Sequence, residues 1–194
     1  MPQIILASAS PARRKLMKEL GIPFHCHTSE YEEDMTAYKT PETLAKFLAL
    51  QKARFIAPKY PDSIIIGADT FGSMDDEMLG KPHSMAAAKE MIRRFRNNKI
   101  AVHTGLAVIQ TDKSSQVSKE STTHTVTTLT FGDITEKEID EIVKKDDVLR
   151  VAGALTIEGE SGKFVKTIDG DYHNVIGLPI FQLKEMLITF GIKL

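Results

Sequence analysis

This chain of 194 residues has a single cysteine, almost no net charge and few long apolar runs. Its one cysteine, Cys26, excludes an intrachain disulfide and a cysteine-rich metal cluster. A formal net charge of -1 gives no global field that would attract nucleic acid or a membrane, so any anion site must be local. No apolar run has the length of a membrane span and no cationic, then apolar leader precedes Ile4, which predicts a cytoplasmic location.

Two common nucleotide-binding signatures are also missing, namely the Walker lysine loop and the glycine fingerprint of dinucleotide-binding folds. The composition is that of a globular protein, with 42% hydrophobic and 26% charged residues. Apolar runs of strand length alternate with stretches of helical spacing, which predicts an α/β fold with a long antiparallel excursion after Gly105. The length suits a single domain over residues 1–194, built of one or two lobes.

The first strand–helix junction has the composition of an anion site. The apolar run Ile4–Ala7 predicts a strand, and Ser10 and Pro11 suit the N-cap and first position of a helix. A helix N-terminus presents free backbone N–H groups and the positive end of the helix dipole. The hydroxyls of Ser8 and Ser10 and the basic run Arg13–Lys15 lie near the same point, which predicts phosphate binding. The alternative is an ordinary junction with solvated basic residues.

Two further stretches carry charge in unusual places. Lys52 lies on the apolar stripe of a predicted helix over Pro41–Lys59, where it either extends toward solvent or holds an anion. The acidic loop Ser29–Asp34 is either a solvated face or a holder for a hard cation such as Mg²⁺. The apolar residues that define the stripe are Leu44, Leu48, Phe55 and Ile56.

Asp69 ends the strand Ser63–Asp69, whose continuous apolar run predicts cover on both faces. A hairpin over Thr70–Gly80 is expected to return Lys81 to the same end, where the two charges form either a catalytic pair or a structural ion pair.

His25 and His27 share one face of a predicted strand over Pro23–Thr28. Because no third ligand is nearby, two partly exposed strand histidines are favoured over a metal site.

Four short motifs follow one another over nearly the whole chain. They are the Ser-x-Ser-Pro-x-Arg stretch within Leu6–Arg14, Gly67–Thr70 followed by Gly80–Pro82, Thr104–Val108, and a block between Ala152 and Pro179. In this order and at this spacing they resemble the signatures of the Maf nucleotide pyrophosphatases.

This resemblance implies a mixed, twisted α/β sheet flanked by helices, in two lobes with a cleft, related to inosine triphosphate pyrophosphatases and often a homodimer. It also implies hydrolysis of a nucleoside triphosphate to the monophosphate and pyrophosphate with Mg²⁺ or Mn²⁺, as house-cleaning of non-standard or pyrimidine nucleotides. The alternative is a nucleotide-binding regulator of cell division with vestigial hydrolysis. The intact Asp69, Lys81 and Lys52 argue against that alternative.

The resemblance also implies a role for individual residues. Asp69 would be the general base and a metal ligand, and Glu33, or its neighbour Glu32, would lie by the metal. Lys81 would take part in catalysis. The implied phosphate ligands are hydroxyl and basic side chains, namely Ser8, Ser10, Arg13 and Lys52, with Lys81 beside them.

Three positions sort substrates in this family, and here they are Ala12, Thr70 and Glu158. The pyrimidine branch has Arg, Thr and Gln at these positions, and the 7-methyl-GTP branch has Trp, Gln and Glu. This chain matches neither set. We therefore expect an enzyme of broad, mixed base preference, and not a strict dTTP/UTP enzyme.

Overall fold

The computed structural model describes residues 2–75 and 77–194, in which strands and helices alternate. The strands of the described part are β1 Gln3–Leu6, β2 His25–Cys26, β3 Ser63–Met74, β4 Glu77–Leu79, β5 Lys99–Thr111, β6 Val117–Phe131 and β7 Val165–Asp169. The α-helices are α1 Pro11–Glu19, α2 Pro41–Ile56, α3 Met85–Phe95, α4 Glu136–Lys145, α5 Tyr172–Ile176 and α6 Ile180–Thr189. No helix in the described part is both long and apolar enough to cross a membrane.

The strands form one mixed sheet, as the family resemblance implied. The strand order is β2-β1-β3-β5-β6-β7, and β4 pairs with β3 outside this path. Strand β1 runs parallel to β2 and to β3, whereas β3–β4 and β6–β7 are antiparallel pairs. The predicted strand over Pro23–Thr28 is shorter than expected, since β2 covers His25–Cys26 alone and its partner β1 ends at Leu6.

The chain forms two compact units, in agreement with the two lobes expected. The first contains the segments up to Asp69, Thr104–Thr125 and Ile176–Leu194, and the second contains Thr70–His103 and Val126–Val175. Among the described residues, two hydrophobic clusters belong to the first unit and one belongs to the second. That residues 1–194 act as a single domain stays a prediction.

Strand β3 is covered on both faces within the first unit, as its continuous apolar run predicted. Alternate residues of a strand point to opposite faces. Ile64 and Ile66 accordingly share a cluster with residues of α1 and α6, and Ile65 shares another with Ala53 and Ile56 of α2. The strands of this unit therefore lie between two layers of helix. The predicted end of the strand at Asp69 was wrong, because β3 continues to Met74 and pairs there with β4.

Helix α2 follows the prediction except in its last turns. It ends at Ile56 and continues as a 3-10 turn to Lys59. Leu44, Leu48 and Ile56 are buried as expected, but Phe55 is 44% exposed, so its assignment to the buried stripe was wrong. Phe55 lies at the edge of that stripe, and toward the end of the helix the buried face shifts to Ala53 and Ile56.

Two glycines allow α2 to lie unusually close to the sheet. A Cβ atom on Gly67 of β3 would lie 2.1 Å from the carbonyl oxygen of Ala49. A Cβ atom on Gly105 of β5 would lie 2.0 Å from the carbonyl oxygen of Ala45. Ala45 and Ala49 are one helical turn apart on the same face, so the backbone of α2 rests on the two glycines. This close approach fixes the height and the rotation of the helix that carries Lys52.

We expect Gly67→Ala and Gly105→Ala each to lower the free energy of unfolding by about 3 kcal/mol, because the added methyl group meets backbone that cannot move alone. Urea unfolding, followed by circular dichroism, measures the change. Gly80→Ala is the control, since apart from Gly80 itself and its two chain neighbours no described residue has an atom within 4 Å of the Cβ it would add. It should change stability by about 0.5 kcal/mol or less. Equal midpoints for all three variants would rule out the close packing.

Candidate active site

The junction between β1 and α1 is built by its two serines. Ser10 is the N-cap of α1, as predicted, and its hydroxyl accepts a hydrogen bond from the backbone N–H of Arg13 at 3.3 Å. The buried hydroxyl of Ser8 accepts one from the backbone N–H of Ser10 at 3.1 Å. A hydroxyl that accepts can still donate its own proton, so both serines remain able to bind a phosphate oxygen.

Arg13 is the one member of the basic run Arg13–Lys15 that is drawn inward, whereas Arg14 and Lys15 are exposed. Its Nε donates to the carbonyl oxygen of Gly177 at 2.8 Å. Burial lowers the pKa of Arg13, and the nearby carboxylates of Asp69 and Glu33 oppose that change. An arginine stays protonated at neutral pH, so a fixed positive charge lies beside the N-terminus of α1.

Lys52 joins the two acidic residues that the family resemblance singled out. Its ammonium contacts a carboxylate oxygen of Asp69, and it lies 2.6 Å from Oε1 of Glu33. The side chains of Lys52, Asp69 and Glu33 are 12%, 6% and 31% exposed, so two of the three are largely removed from water. Lys52, on the apolar stripe of α2, therefore does not extend toward solvent. It contacts two carboxylates at once.

These residues form a cluster of balanced charge, which we call the charge cluster: Arg13, Glu33, Lys52 and Asp69. The cluster lies within the first compact unit. Two of its members are cations and two are carboxylates, so the formal charges cancel. Of the neighbours Glu32 and Glu33, both of which are exposed residues, it is Glu33 that contacts Lys52.

The remaining predicted residues are spread over both units. Ala12 is half-buried in the first turn of α1, in the first unit, whereas Thr70, Lys81 and Glu158 belong to the second. The predicted hairpin is present, with Met74 paired to Glu77, so Lys81 follows β4 as expected. The turn of that hairpin includes Asp76, which lies outside the described residues. The roles of Thr70, Lys81 and Glu158 stay predictions.

The loop that carries Glu158 is fixed by Asp146, a residue that the sequence analysis did not identify. The Asp146 carboxylate accepts hydrogen bonds from the Thr156 hydroxyl at 2.6 Å and from the backbone N–H groups of Glu160 and Ser161 at 2.9 and 3.1 Å. Burial raises the pKa of Asp146, but these bonds outweigh it and hold the pKa below its usual value. The loop is therefore tied down on both sides of Glu158.

The two histidines that were predicted to share a strand face are His25, which lies in β2, and His27, which follows the end of β2. Nδ1 of His27 lies 2.6 Å from the hydroxyl of Tyr60, and His25 is exposed. Across residues 2–75 and 77–194, no group of three or more His, Cys, Asp or Glu side chains has an arrangement that would hold a metal ion. His27 therefore has Tyr60 as a hydrogen-bond partner, and His25 faces solvent.

A double-mutant cycle on Lys52 and Asp69 tests how strongly the charge cluster is coupled. From Lys52→Met, Asp69→Asn and the double variant, urea unfolding should give a coupling free energy of about 1–3 kcal/mol, because the pair is largely removed from water. The control pair is Lys46 with Glu42 on the same helix, whose side chains are 34% and 59% exposed. Its coupling should be about 0.5 kcal/mol or less. Equal coupling in the two pairs would contradict the burial of the cluster.

The chain is similar to known proteins both in sequence and in structure. A dTTP/UTP pyrophosphatase of Bacillus anthracis (strain CDC 684 / NRRL 3495) is 41% identical over 192 residues, which cover 99% of this chain and 97% of the relative. A dTTP/UTP pyrophosphatase of Bacillus cereus (strain AH820) matches at the same identity and coverage. Among solved structures, a HAM1 protein from Coxiella burnetii superposes with a TM-score of 0.55 at 14% identity, covering 97% of this chain and all of that one.

The structural match shows a shared fold, since its sequence identity is low. The sequence matches go further, because they extend from one end of the chain to the other. The family model described as "Maf-like protein" matches residues 3–190, a span that includes every member of the charge cluster. The chain therefore belongs to the Maf-like protein family.

Proposed function

We propose that this protein is a nucleoside triphosphate pyrophosphatase that cleaves the bond between the α- and β-phosphates. The observation that carries the proposal is the contact of Lys52 with both Asp69 and Glu33, next to Arg13 at the N-terminus of α1. Such a cluster offers cations for a polyphosphate and a carboxylate for water in one place. The Bacillus relatives, whose sequences match 99% of this chain, are named dTTP/UTP pyrophosphatases.

The phosphates would bind at the junction of β1 and α1. Backbone N–H groups at the start of α1 favour an anion there, and the hydroxyls of Ser8 and Ser10 add donors. The guanidinium of Arg13 is held by the Gly177 carbonyl oxygen through Nε. Lys52 contributes a second cation. Lys81 would contribute a third, as the family resemblance implies. Together these groups would stabilise the charge that builds up on the leaving pyrophosphate.

Asp69 is the proposed general base. The oxygen of a water molecule attacks the α-phosphorus while the bond to the bridging oxygen of the β-phosphate breaks, and the electron pair leaves with pyrophosphate. The carboxylate of Asp69 takes the proton that the water loses. The products are a nucleoside monophosphate and pyrophosphate, and no other reactant is consumed.

A divalent metal fits the acidic half of the cluster. Hard cations prefer oxygen ligands, and the carboxylates of Asp69 and Glu33 are close enough together to contact one ammonium. The described residues add no third ligand of a metal cluster, so phosphate and water oxygens would complete the shell, as is usual for Mg²⁺. When bound, Mg²⁺ or Mn²⁺ would neutralise charge on the phosphates and make the α-phosphorus easier to attack.

The base preference is the finer part of the proposal. The relatives act on dTTP and UTP by name, and Thr70 agrees with a pyrimidine enzyme. Ala12 lacks both the donors of arginine and the stacking face of tryptophan, and an ionised Glu158 only accepts hydrogen bonds. A carboxylate favours the N1–H and amino group of guanine over the carbonyl edge of uracil. We therefore propose that UTP and dTTP are substrates without being strictly selected.

Asp69→Asn should lower kcat by about a hundredfold or more, because the amide cannot take the proton from water. Pyrophosphate release from UTP measures turnover. Calorimetry with α,β-methylene-UTP, in which the scissile bond is blocked, should show that nucleotide binding is retained. Asp62→Asn, an exposed change just before the same strand, is the control and should keep full activity. A fully active Asp69→Asn protein would remove Asp69 from the role of base.

Glu158→Gln should shift preference toward UTP and dTTP relative to guanine nucleotides by about fivefold in kcat/KM, because Glu158 is exposed and one hydrogen bond there is worth about 1 kcal/mol. The neutral amide offers a donor to the uracil carbonyl where the carboxylate offers none. Competition between UTP and GTP in one reaction gives the ratio directly, and Glu160→Gln, two residues along the same loop, is the comparison. A wild-type enzyme that already prefers UTP a thousandfold would contradict this assignment.

A further inference from the structure

The contact of Lys52 with both proposed metal ligands has a consequence for the order of binding. One ammonium touches a carboxylate oxygen of Asp69 and lies 2.6 Å from Oε1 of Glu33. A divalent metal ion requires oxygens of the same two carboxylates. Lysine and metal are therefore competitors for one pair of anions in the nucleotide-free protein.

Charge balance decides this competition against the metal. The charge cluster is neutral as it stands, with Arg13 and Lys52 opposite Asp69 and Glu33. A divalent cation added to it would leave two positive charges without partners, beside side chains that are only 12% and 6% exposed. Uncompensated charge is costly where water is largely excluded. Metal binding to the free protein is consequently opposed by the lysine that occupies its ligands.

A triphosphate reverses the balance. It brings at least three negative charges to the same place, which offers Lys52 a new partner. The lysine side chain is a flexible four-carbon stem with a point charge at its end, so it can change partners without movement of the helix that carries it. Once the ammonium turns to the phosphates, the oxygens of Asp69 and Glu33 become available to a cation.

We infer that Lys52 acts as a stand-in for the metal, keeping the two carboxylates occupied until a triphosphate draws it away. Metal and nucleotide therefore bind cooperatively, and Lys52 is the residue that couples them. The inference rests on the proposed function for the identity of the nucleotide. Its first part concerns the free protein alone, and can be tested without any turnover.

The test is titration of the nucleotide-free protein with Mn²⁺, followed by the loss of the free-ion signal in electron paramagnetic resonance. Lys52→Gln should bind Mn²⁺ about tenfold more tightly than the wild type, because its neutral amide does not compete as a cation. Lys46→Gln, on the same helix in an exposed pair with Glu42, should bind like the wild type. Lys52→Gln combined with Glu33→Gln should lose the gain, which assigns it to these carboxylates.

The metal-only titration is the decisive arm, because triphosphates bind Mn²⁺ in solution by themselves. Equal Mn²⁺ affinity of Lys52→Gln and the wild type would overturn the inference, and so would an equal gain in Lys46→Gln. Circular dichroism confirms that the variants fold, and Lys52→Met replaces Lys52→Gln if the latter does not. If Lys52→Gln gains Mn²⁺ affinity but the wild type releases pyrophosphate from no nucleotide, the inference is supported and the proposed function is refuted. If the wild type releases pyrophosphate but Lys52→Gln shows no gain, the proposed function is supported and the inference is refuted.

Discussion

The close contact between helix α2 and the sheet is the constraint on which the site depends. Gly67 and Gly105 let the backbone of α2 rest directly on two strands, opposite Ala49 and Ala45. Lys52 comes one turn after Ala49, and Asp69 comes two residues after Gly67. The same contact that packs the core therefore sets the distance between the ammonium and the carboxylate. A larger residue at either glycine would lift the helix and move the lysine out of register.

A neutral cluster of four charged groups is a suitable starting state for polyphosphate chemistry. Charges that are paired in the free protein cost less to bury than isolated ones. They are also already in place when the substrate arrives, so little reorganisation is needed during reaction. Arg13 illustrates this preorganisation, because Gly177 holds its guanidinium through a backbone carbonyl that does not depend on any ligand. The stability of the fold and the readiness of the site thus come from the same contacts.

The sequence allowed prediction of those features that depend on local chemistry. The cap at Ser10, the hairpin after Asp69 and the burial of β3 on both faces follow from residue types and spacing, and each is present. Lys52 was identified because a charged side chain is unexpected among the apolar residues of one helix face. The anchors of the site escaped prediction because they join distant segments. A backbone carbonyl such as that of Gly177 has no signature in the sequence, and Asp146 was one acid among many until the fold brought it to the loop around Glu158.

The position of bond cleavage tests the account most directly. If water attacks the α-phosphorus, hydrolysis of UTP in water labelled with oxygen-18 must place the label in UMP and leave pyrophosphate unlabelled. Mass spectrometry of the two products after a single turnover gives the answer. The arrangement of Asp69, Lys52 and Arg13 predicts labelled UMP and intact pyrophosphate. Label in pyrophosphate, or release of UDP with inorganic phosphate, would contradict the proposed reaction.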